Sequence, residues 1–533
     1  MLLAQQLTEA STVVEVTNSG SFWNVLTYMV FAPLVGAVVV LLLPKANEYA
    51  IKMVTLLTTL VTAGVGIAVL TQFNYSEAGT KQLGANVGWI EVINSRYIVG
   101  VDGISLPLIA LTLLVMPLCV IYSWNHLPSP GNPKAFFTLL LVLMTGMLGS
   151  FVALDLILFF VFFEVVLLPM YFLIGVWGGE QRQYASIKFF LYTLFGSALM
   201  LVAFLALYFL SDEVLLPNGD LAHSFDMTLL PGLAVGISSA AALWIFAGMF
   251  IGFGVKVPMF PFHTWLPDAH TQAPTVGSVI LAAVLLKLGT YGFIRIAIPI
   301  LPDAAKSWAP VIGILAVIGI IYGALCCLAQ TDMKRLIAFS SVAHMGFTML
   351  AISSLTDFGL NAAIFGMVAH GLITGMLFFL AGSTKERYHT LEISRLGGML
   401  KQAPHMGWIL GLSVMASLGL PGLAGFWGEF PAILSVYNPA EGLNVALFRV
   451  LMVIAAVGTV LAAGYLLWLY QRVAFGLPSP EFADDPEIVD VTPTEWVAWT
   501  PLLVLIVVLG FVPGILFSVT NPAVGQALSA LGG

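Results

Sequence analysis

The sequence predicts an all-α, polytopic membrane protein of about 14 transmembrane helices. Of its 533 residues, 59% are hydrophobic and only 9% charged. Mean hydropathy is +1.00. Apolar runs of about 20 residues recur along the chain, and that length crosses a ~30 Å hydrocarbon core at 1.5 Å per residue. A soluble domain carries roughly 25% charge, so soluble-enzyme readings are excluded. With 19 Lys plus Arg against 27 Asp plus Glu, a formal charge of −8, there is no basic face for nucleic acid.

The spans follow from apolar runs bounded by Pro, Gly or charge. Spans 1 and 2 (21–44 and 51–73) are parted by Pro44-Lys45, and a polar stretch with Lys81 and Arg96 leads to span 3 (104–124). Pro133-Lys134 opens span 4 (135–154), Asp155 ends it, and span 5 (156–177) runs to Gly178-Gly179. Span 6 (185–210) follows Arg182, and span 7 (233–262) ends in a Pro-rich segment before span 8 (276–301). Pro302 to Lys306 precedes span 9 (309–330), Asp332 to Arg335 introduces span 10 (335–354), and Asp357 precedes span 11 (360–381). A loop holding Lys385, Arg387, Arg395 and Lys401 leads to span 12 (406–438). Pro439 to Gly442 separates it from span 13 (445–475), and an acidic loop precedes span 14 (496–519).

An even number of spans returns both termini to one side, and cytoplasmic loops carry the Lys/Arg excess. The odd-numbered connections and helix ends hold Lys45, Lys52, Lys134, Arg182, Lys188, Lys334, Arg335, Lys385, Arg387, Arg395, Lys401 and Arg472. The even-numbered ones hold only Lys81, Arg96, Lys306 and Arg449. Both termini are therefore expected on the non-cytoplasmic side. Met1 to Gly20 carries Glu9 and Glu15 but no Lys or Arg, so it lacks the basic opening of a signal peptide, and the first span is expected to insert the chain.

Two long spans are interrupted by Gly and Pro: Gly252 to Pro261 in span 7 and Gly419 to Glu429 in span 12. They lie five spans apart, so units of spans 4–8 and 9–13 would have opposite orientation, as inverted repeats require. The expected organisation is an N-terminal region (1–134) with spans 1–3 and a first repeat (135–301). A second repeat (309–475) and the acidic loop with span 14 (476–533) follow.

A charge at the bilayer centre costs about 2.5–3.5 kcal/mol on insertion scales, which makes each intramembrane ionisable residue a functional candidate. Glu164 in span 5 has apolar residues on both sides, so it must face protein or water; its expected partner is a cation on a neighbouring helix. It serves equally as half of a packing ion pair. Lys256 in span 7 sits beside helix breaks at Pro258 and Pro261, which free the carbonyls of Gly254 and Val257 to attract cations or water. Burial and pairing pull on its proton in opposite directions, which suits a group that releases and accepts one. In span 8, Lys287 is a candidate proton carrier. Arg295, eight residues on and on a similar face, cannot titrate usefully and reads as a fixed electrostatic field.

His344 in span 10 and His370 in span 11 supply side chains that titrate near neutrality, although each alone can be a core histidine. Glu429 lies in span 12, where Pro421 and its glycines open the backbone. Together these residues read as a hydrated relay across the bundle. His263 and His270 are seven apart, and Pro267 breaks the helix that would align them on a metal. No metal is therefore expected. Cys119, Cys326 and Cys327 lack CxxC spacing, so no cofactor is implied by them. Asp155, Asp303 and Asp357, near span ends, read as solvated caps. The acidic segment from Phe482 to Val491 reads as a contact surface or a solvated loop.

The segments Phe162 to Ile174, Lys256 to His270 and Asp332 to Gly346 closely resemble the antiporter-like subunits of respiratory complex I, over roughly spans 3 to 13. Glu429 matches the M-type members of that family, where L- and N-type subunits and the cation/proton antiporter subunits usually have Lys. The chain also ends soon after span 14, without the long lateral helix of the L type. The resemblance implies a helix 5 glutamate (Glu164) paired with a broken-helix 7 lysine (Lys256) and a connecting lysine (Lys287). It places His344 and His370 on a central hydrophilic axis, with Glu429 as its terminal proton group. It further implies proton translocation driven by quinone reduction in other subunits. L-type and N-type neighbours and lipids would surround the chain, and flavin, iron–sulfur clusters and quinone would sit in partner subunits, with no cofactor here. The alternatives are a cation/proton antiporter subunit, a hydrogenase-linked or photosynthetic relative, and a haem carrier using His344 and His370.

Overall fold

The computed structural model describes residues 20–216, 218–483 and 485–529. The N-terminal stretch through Ser19, with Glu9 and Glu15, lies outside the described residues. Among those described, 13 helices are long and apolar enough to cross a membrane. They begin with α1 (Val25–Leu42), α2 (Glu48–Gln72), α3 (Ser105–Tyr122), α4 (Pro133–Val152), α5 (Leu156–Trp177) and α6 (Arg182–Leu210). Then come α7a (Ser239–Lys256) with its short continuation α7b (Trp265–Gln272), α8 (Thr275–Ile300), α9 (Pro302–Leu328), α10 (Met333–Ser353) and α11 (Asp357–Tyr388). The predicted span 12 is two pieces, α12a (Pro404–Ser417) and α12b (Ala424–Ser435), each too short to cross alone. The last elements are α13 (Val445–Ala474), α14 (Pro493–Phe511) and α15 (Gly514–Leu528).

Local chemistry sets these boundaries. Asn24, Asn47, Asn132, Asn444 and Thr492 each accept a backbone N–H from the first turn of the helix they open, worth about 1 kcal/mol per cap. Thr492 and Glu495 complete a reciprocal capping box. The predicted single span at 496–519 ends earlier, because Pro513 has no N–H to continue the ladder and the chain restarts as α15. Likewise, the predicted span 7 stops at Lys256, ahead of Pro258 and Pro261. The carbonyls near that break find protein donors: Met259 N–H reaches Gly254 O and the Trp265 indole reaches Val255 O, both at 2.9 Å. The break is therefore less open to cations or water than the prolines alone suggest.

The helices sort by depth. Every residue in the scanned windows of α8 and α10 is buried, and 94% in α11, against 28% in α2 and α13. Lys287, His344 and His370, on the first three of these helices, therefore face protein. Two elements were not foreseen: a short antiparallel pairing of Val214–Leu215 with Leu221–Ala222 after α6 and, between α2 and α3, an antiparallel hairpin of β1 (Gln82–Ile90) with β2 (Ser95–Val101). Its turn uses Asn94 in the left-handed region at φ 47°, a conformation Asn tolerates. All of β2 is buried, which explains why its apolar run reads like the edge of a span and not like a strand.

Two sequence readings of acidic groups change. Asp155 does cap a helix, accepting from Ile157 and Leu158 N–H, but it is fully buried and also takes Ser95 Oγ and Arg96 N–H. It is thus a buried anchor for β2. Asp303 and Asp357 are exposed in first helical turns, as expected. The acidic loop is strapped down. Arg395 pairs with Glu481, His405 with Asp490 at 2.7 Å, and Arg387 donates to Val489 O at 2.7 Å. Arg387 also grips the fully buried Glu495 through two bonds of 2.9 and 2.6 Å. Glu495→Ala leaves that guanidinium buried and unpaired, so it should destabilise the chain by about 3–5 kcal/mol, read as loss of the subunit from the detergent-extracted membrane complex on heating. Glu495→Gln, which keeps two polar partners, should recover part of it.

Candidate functional site

Lys256 ends α7a and is buried; its Nζ lies 4.8 Å from the centre of the Phe163 ring. Glu164 is the next residue on α5. Its carboxylate is half-buried, bonded to Ser197 of α6, and feels the Lys256 charge. Among the described residues no ion-pair contact joins the two. The expected direct pair is thus replaced by a through-space one, with an aromatic face beside the ammonium.

α8 is not a regular helix. Two π-helical segments, Leu281–Leu285 and Phe293–Ala297, flank the turn that carries Lys287. Such bulges free carbonyls from the i→i+4 ladder, and Lys287 Nζ donates to Ala282 O. The same Nζ is 2.8 Å from His370 Nδ1 on α11. At that distance Lys287 and His370 cannot both be cations. If both were charged, two donors would face each other at a cost of roughly 6 kcal/mol even at an effective dielectric of 20.

Beyond His370 the series continues. His344 on α10 stands 6.2 Å away, centre to centre. Its Nδ1 contacts Glu429 Oε1 of α12b, and its Nε2 lies 3.2 Å from Ser417 Oγ and 3.3 Å from Tyr465 OH. The break of span 12 delivers Glu429: Gly419 and Gly422 adopt φ of 78° and 92°, angles that favour glycine, and the chain re-enters as α12b. A cavity of about 20 Å³ is lined by His344, His370, Ser417 and Glu429, room for about one water. His370 Nε2 has no hydrogen-bond partner among the described residues. Lys287, His370, His344 and Glu429 thus form a continuous polar line with one gap of water size.

Arg295 does not join this line. The second π segment turns it toward Asp102, the residue ahead of α3, and Asp102 also accepts Lys81 Nζ at 2.7 Å. Tyr291 OH completes the cluster at 3.1 Å. Burial alone would raise the Asp102 carboxyl, but Arg295 and then Lys81 hold it below the usual carboxylate range. Arg295 is therefore a clamp between α8 and the hairpin, ion-paired to a carboxylate it shares with Lys81, and not the free field on the Lys287 face that the spacing suggested. Sequence reading missed Asp102, whose only signal was an acid between two apolar runs.

His270 was weighed only as a metal ligand. It lies on α7b, fully buried, its ring flat on Phe378 at 4.4 Å, and neither ring nitrogen has a hydrogen-bond partner among the described residues. The charges of Lys334 and Lys287 both act on it, and it acts on His370. His263 packs against Tyr322 at 5.0 Å.

Comparison with known proteins shows the family of the chain. Residues 134–457 match the family model described as NADH:quinone oxidoreductase/Mrp antiporter, TM, and residues 29–150 match that of NADH-ubiquinone oxidoreductase chain 4, amino terminus. The chain is 41% identical over 511 residues to NADH-quinone oxidoreductase subunit M of Rhodobacter capsulatus, covering 94% of this chain and 96% of the relative. It is 40% identical over 492 residues to NAD(P)H-quinone oxidoreductase chain 4 3 of Trichormus variabilis, covering 92% and 88%. Among solved structures, a chain of respiratory complex I from Thermus thermophilus with bound NADH superposes with a TM-score of 0.81 at 27% identity. That match covers 96% of this chain and 100% of the other.

Proposed function

Because the chain belongs to the antiporter-like membrane-subunit family that includes NADH-quinone oxidoreductase subunit M, we propose that it translocates protons within the membrane arm of such a complex. NADH oxidation and quinone reduction, with their flavin and iron–sulfur clusters, belong to partner subunits. The observation that carries this reading is the Lys287–His370 contact at 2.8 Å between α8 and α11, deep in the enclosed part of the bundle. A buried amine and imidazole sharing one proton exchange it without separating charge over a long distance.

The route runs from Glu164 and Lys256 through Lys287, His370 and His344 to Glu429. One water in the cavity between the histidines bridges His370 and His344. Two inverted units, α4–α8 and α9–α13, each contribute a half-route, the breaks at Pro258 and Pro261 ending α7a at Lys256 and the break at Pro421 delivering Glu429. The membrane is the bacterial cell membrane, with both termini on the non-cytoplasmic side. Both ends of the line approach the surface of the chain. Glu164 shares the outer face of α5 with exposed Val161 and Leu168, and Glu429 borders exposed Phe430. A carboxylate is too costly against lipid, so L-type and N-type subunits cover these faces, and a charge change in a neighbour reaches Glu164 directly.

The test is a pull-down of the tagged chain in mild detergent, resolved on a native gel, stained for NADH dehydrogenase and read by mass spectrometry. Co-migration with an NADH-active assembly containing flavin and iron–sulfur subunits is expected. Migration with a few membrane proteins and no NADH activity overturns the reading in favour of an antiporter or a complex with another electron donor.

A further inference from the structure

The connections after α3, α5, α7b and α11, and the first turn of α10, meet around a chamber of about 570 Å³. All belong to the basic, odd-numbered side of the chain. At its rim His126 Nδ1 pairs with Glu386 Oε2, and the imidazole stacks on Tyr122 at 4.5 Å. Both members of the pair remain in reach of solvent, Glu386 being 38% exposed. At the inner wall, buried Lys334 donates to Ala273 O at 2.5 Å, in the turn that follows His270.

The chamber points at the polar line. Along α11, Gly382 and Glu386 line the chamber, Phe378 lies about one turn further in, and His370 about two turns beyond that. Glu386 and His370 are separated along the axis of α11 by about 24 Å, the rise of sixteen residues. Midway, Phe378 carries the His270 ring flat against it. His270 lies in the fields of both Lys334 and Lys287, one facing the chamber and the other on the axis. A buried imidazole with two unpaired nitrogens between two amines is placed to pass a proton inward by donating from one nitrogen and accepting at the other.

We propose that this chamber is the cytoplasmic loading mouth of the proton route, with the Glu386–His126 pair as its collecting site and Lys334 as the positioning residue that aligns the step to His270. This rests on the proposed proton translocation along Lys287 and His370. The step balances: a hydronium protonates the pair, and the same charge moves inward as one proton. The collecting pair is also faced by Tyr122 of α3, Lys334 of α10, Glu495 of α14, and Lys385 and Arg387 of its own helix.

Two readouts on the intact complex in membrane vesicles test this. First, Ser129→Cys, on the chamber lining, should be labelled by a charged methanethiosulfonate from the cytoplasmic face only, against the unmodified chain as background, and labelling should suppress pumping. Second, Glu386→Gln should slow coupled turnover about fivefold near pH 8.5 but less than about twofold near pH 6, because a collecting group matters most where bulk protons are scarce; Glu386→Asp should restore the profile. Labelling from the opposite face, absence of labelling, or a loss uniform across pH overturns the assignment. Lys287→Met serves as the reference. If it stops pumping while Glu386→Gln keeps the native profile, the mouth alone is wrong. If it pumps normally, the underlying route fails and the mouth with it.

Discussion

Lys287→Met should reduce coupled quinone reduction about 10²-fold, the scale of losing a positioned acid–base group, while the complex still assembles. The substitution is close in volume and unbranched, so the fully buried site is filled. It removes the amine that lies 2.8 Å from His370 Nδ1 and donates to Ala282 O. His370 then has no amine with which to share its proton, and the line breaks at its middle. A purely structural lysine would give the opposite pattern: normal turnover in whatever complex forms, and less complex. Turnover per assembled complex, quantified from the native gel, separates the two.

Glu164→Gln and Lys256→Ala should each lower pumping together with quinone reduction, by about tenfold, and leave assembly largely intact. Glu164 and Lys256 interact through space, with the ammonium resting beside Phe163. That arrangement is poised between two states: a closed pair that holds the lysine proton, and an open one that lets it leave. A buried pair of this kind is strongly biased by a third charge nearby, and the outer face of α5 is where a neighbouring subunit supplies one. The neutral Gln cannot hold the lysine, and the Ala cannot carry a proton, so the two variants fail for different reasons and should not add when combined. Normal proton yield in both fully assembled variants would defeat the gating idea.

Most of the site was legible because a membrane makes charge conspicuous. Glu164, Lys256, Lys287, His344, His370 and Glu429 each interrupt an apolar run, and the structure links four of them, Lys287, His370, His344 and Glu429, into one line. The break in span 12 was legible too, from its glycines. What stayed hidden depends on distance in the chain or on backbone detail. The π segments of α8 leave no mark on composition, yet they rotate Arg295 away from Lys287 and onto Asp102, 193 positions distant. The place of His270 stayed hidden because sequence spacing, which argued only against a metal at His263 and His270, says nothing about which lysines flank it in space. The hairpin escaped because β2 is wholly buried and shows no polar alternation.

The central claim, that protons cross this chain along Lys287, His370, His344 and Glu429, is tested most directly by counting protons moved per quinone reduced in purified, reconstituted complex, with native and Lys287→Met chains side by side. The variant is expected either to pump fewer protons per quinone or to stall. An assembled variant that turns over at the native rate with the native proton yield would contradict the claim.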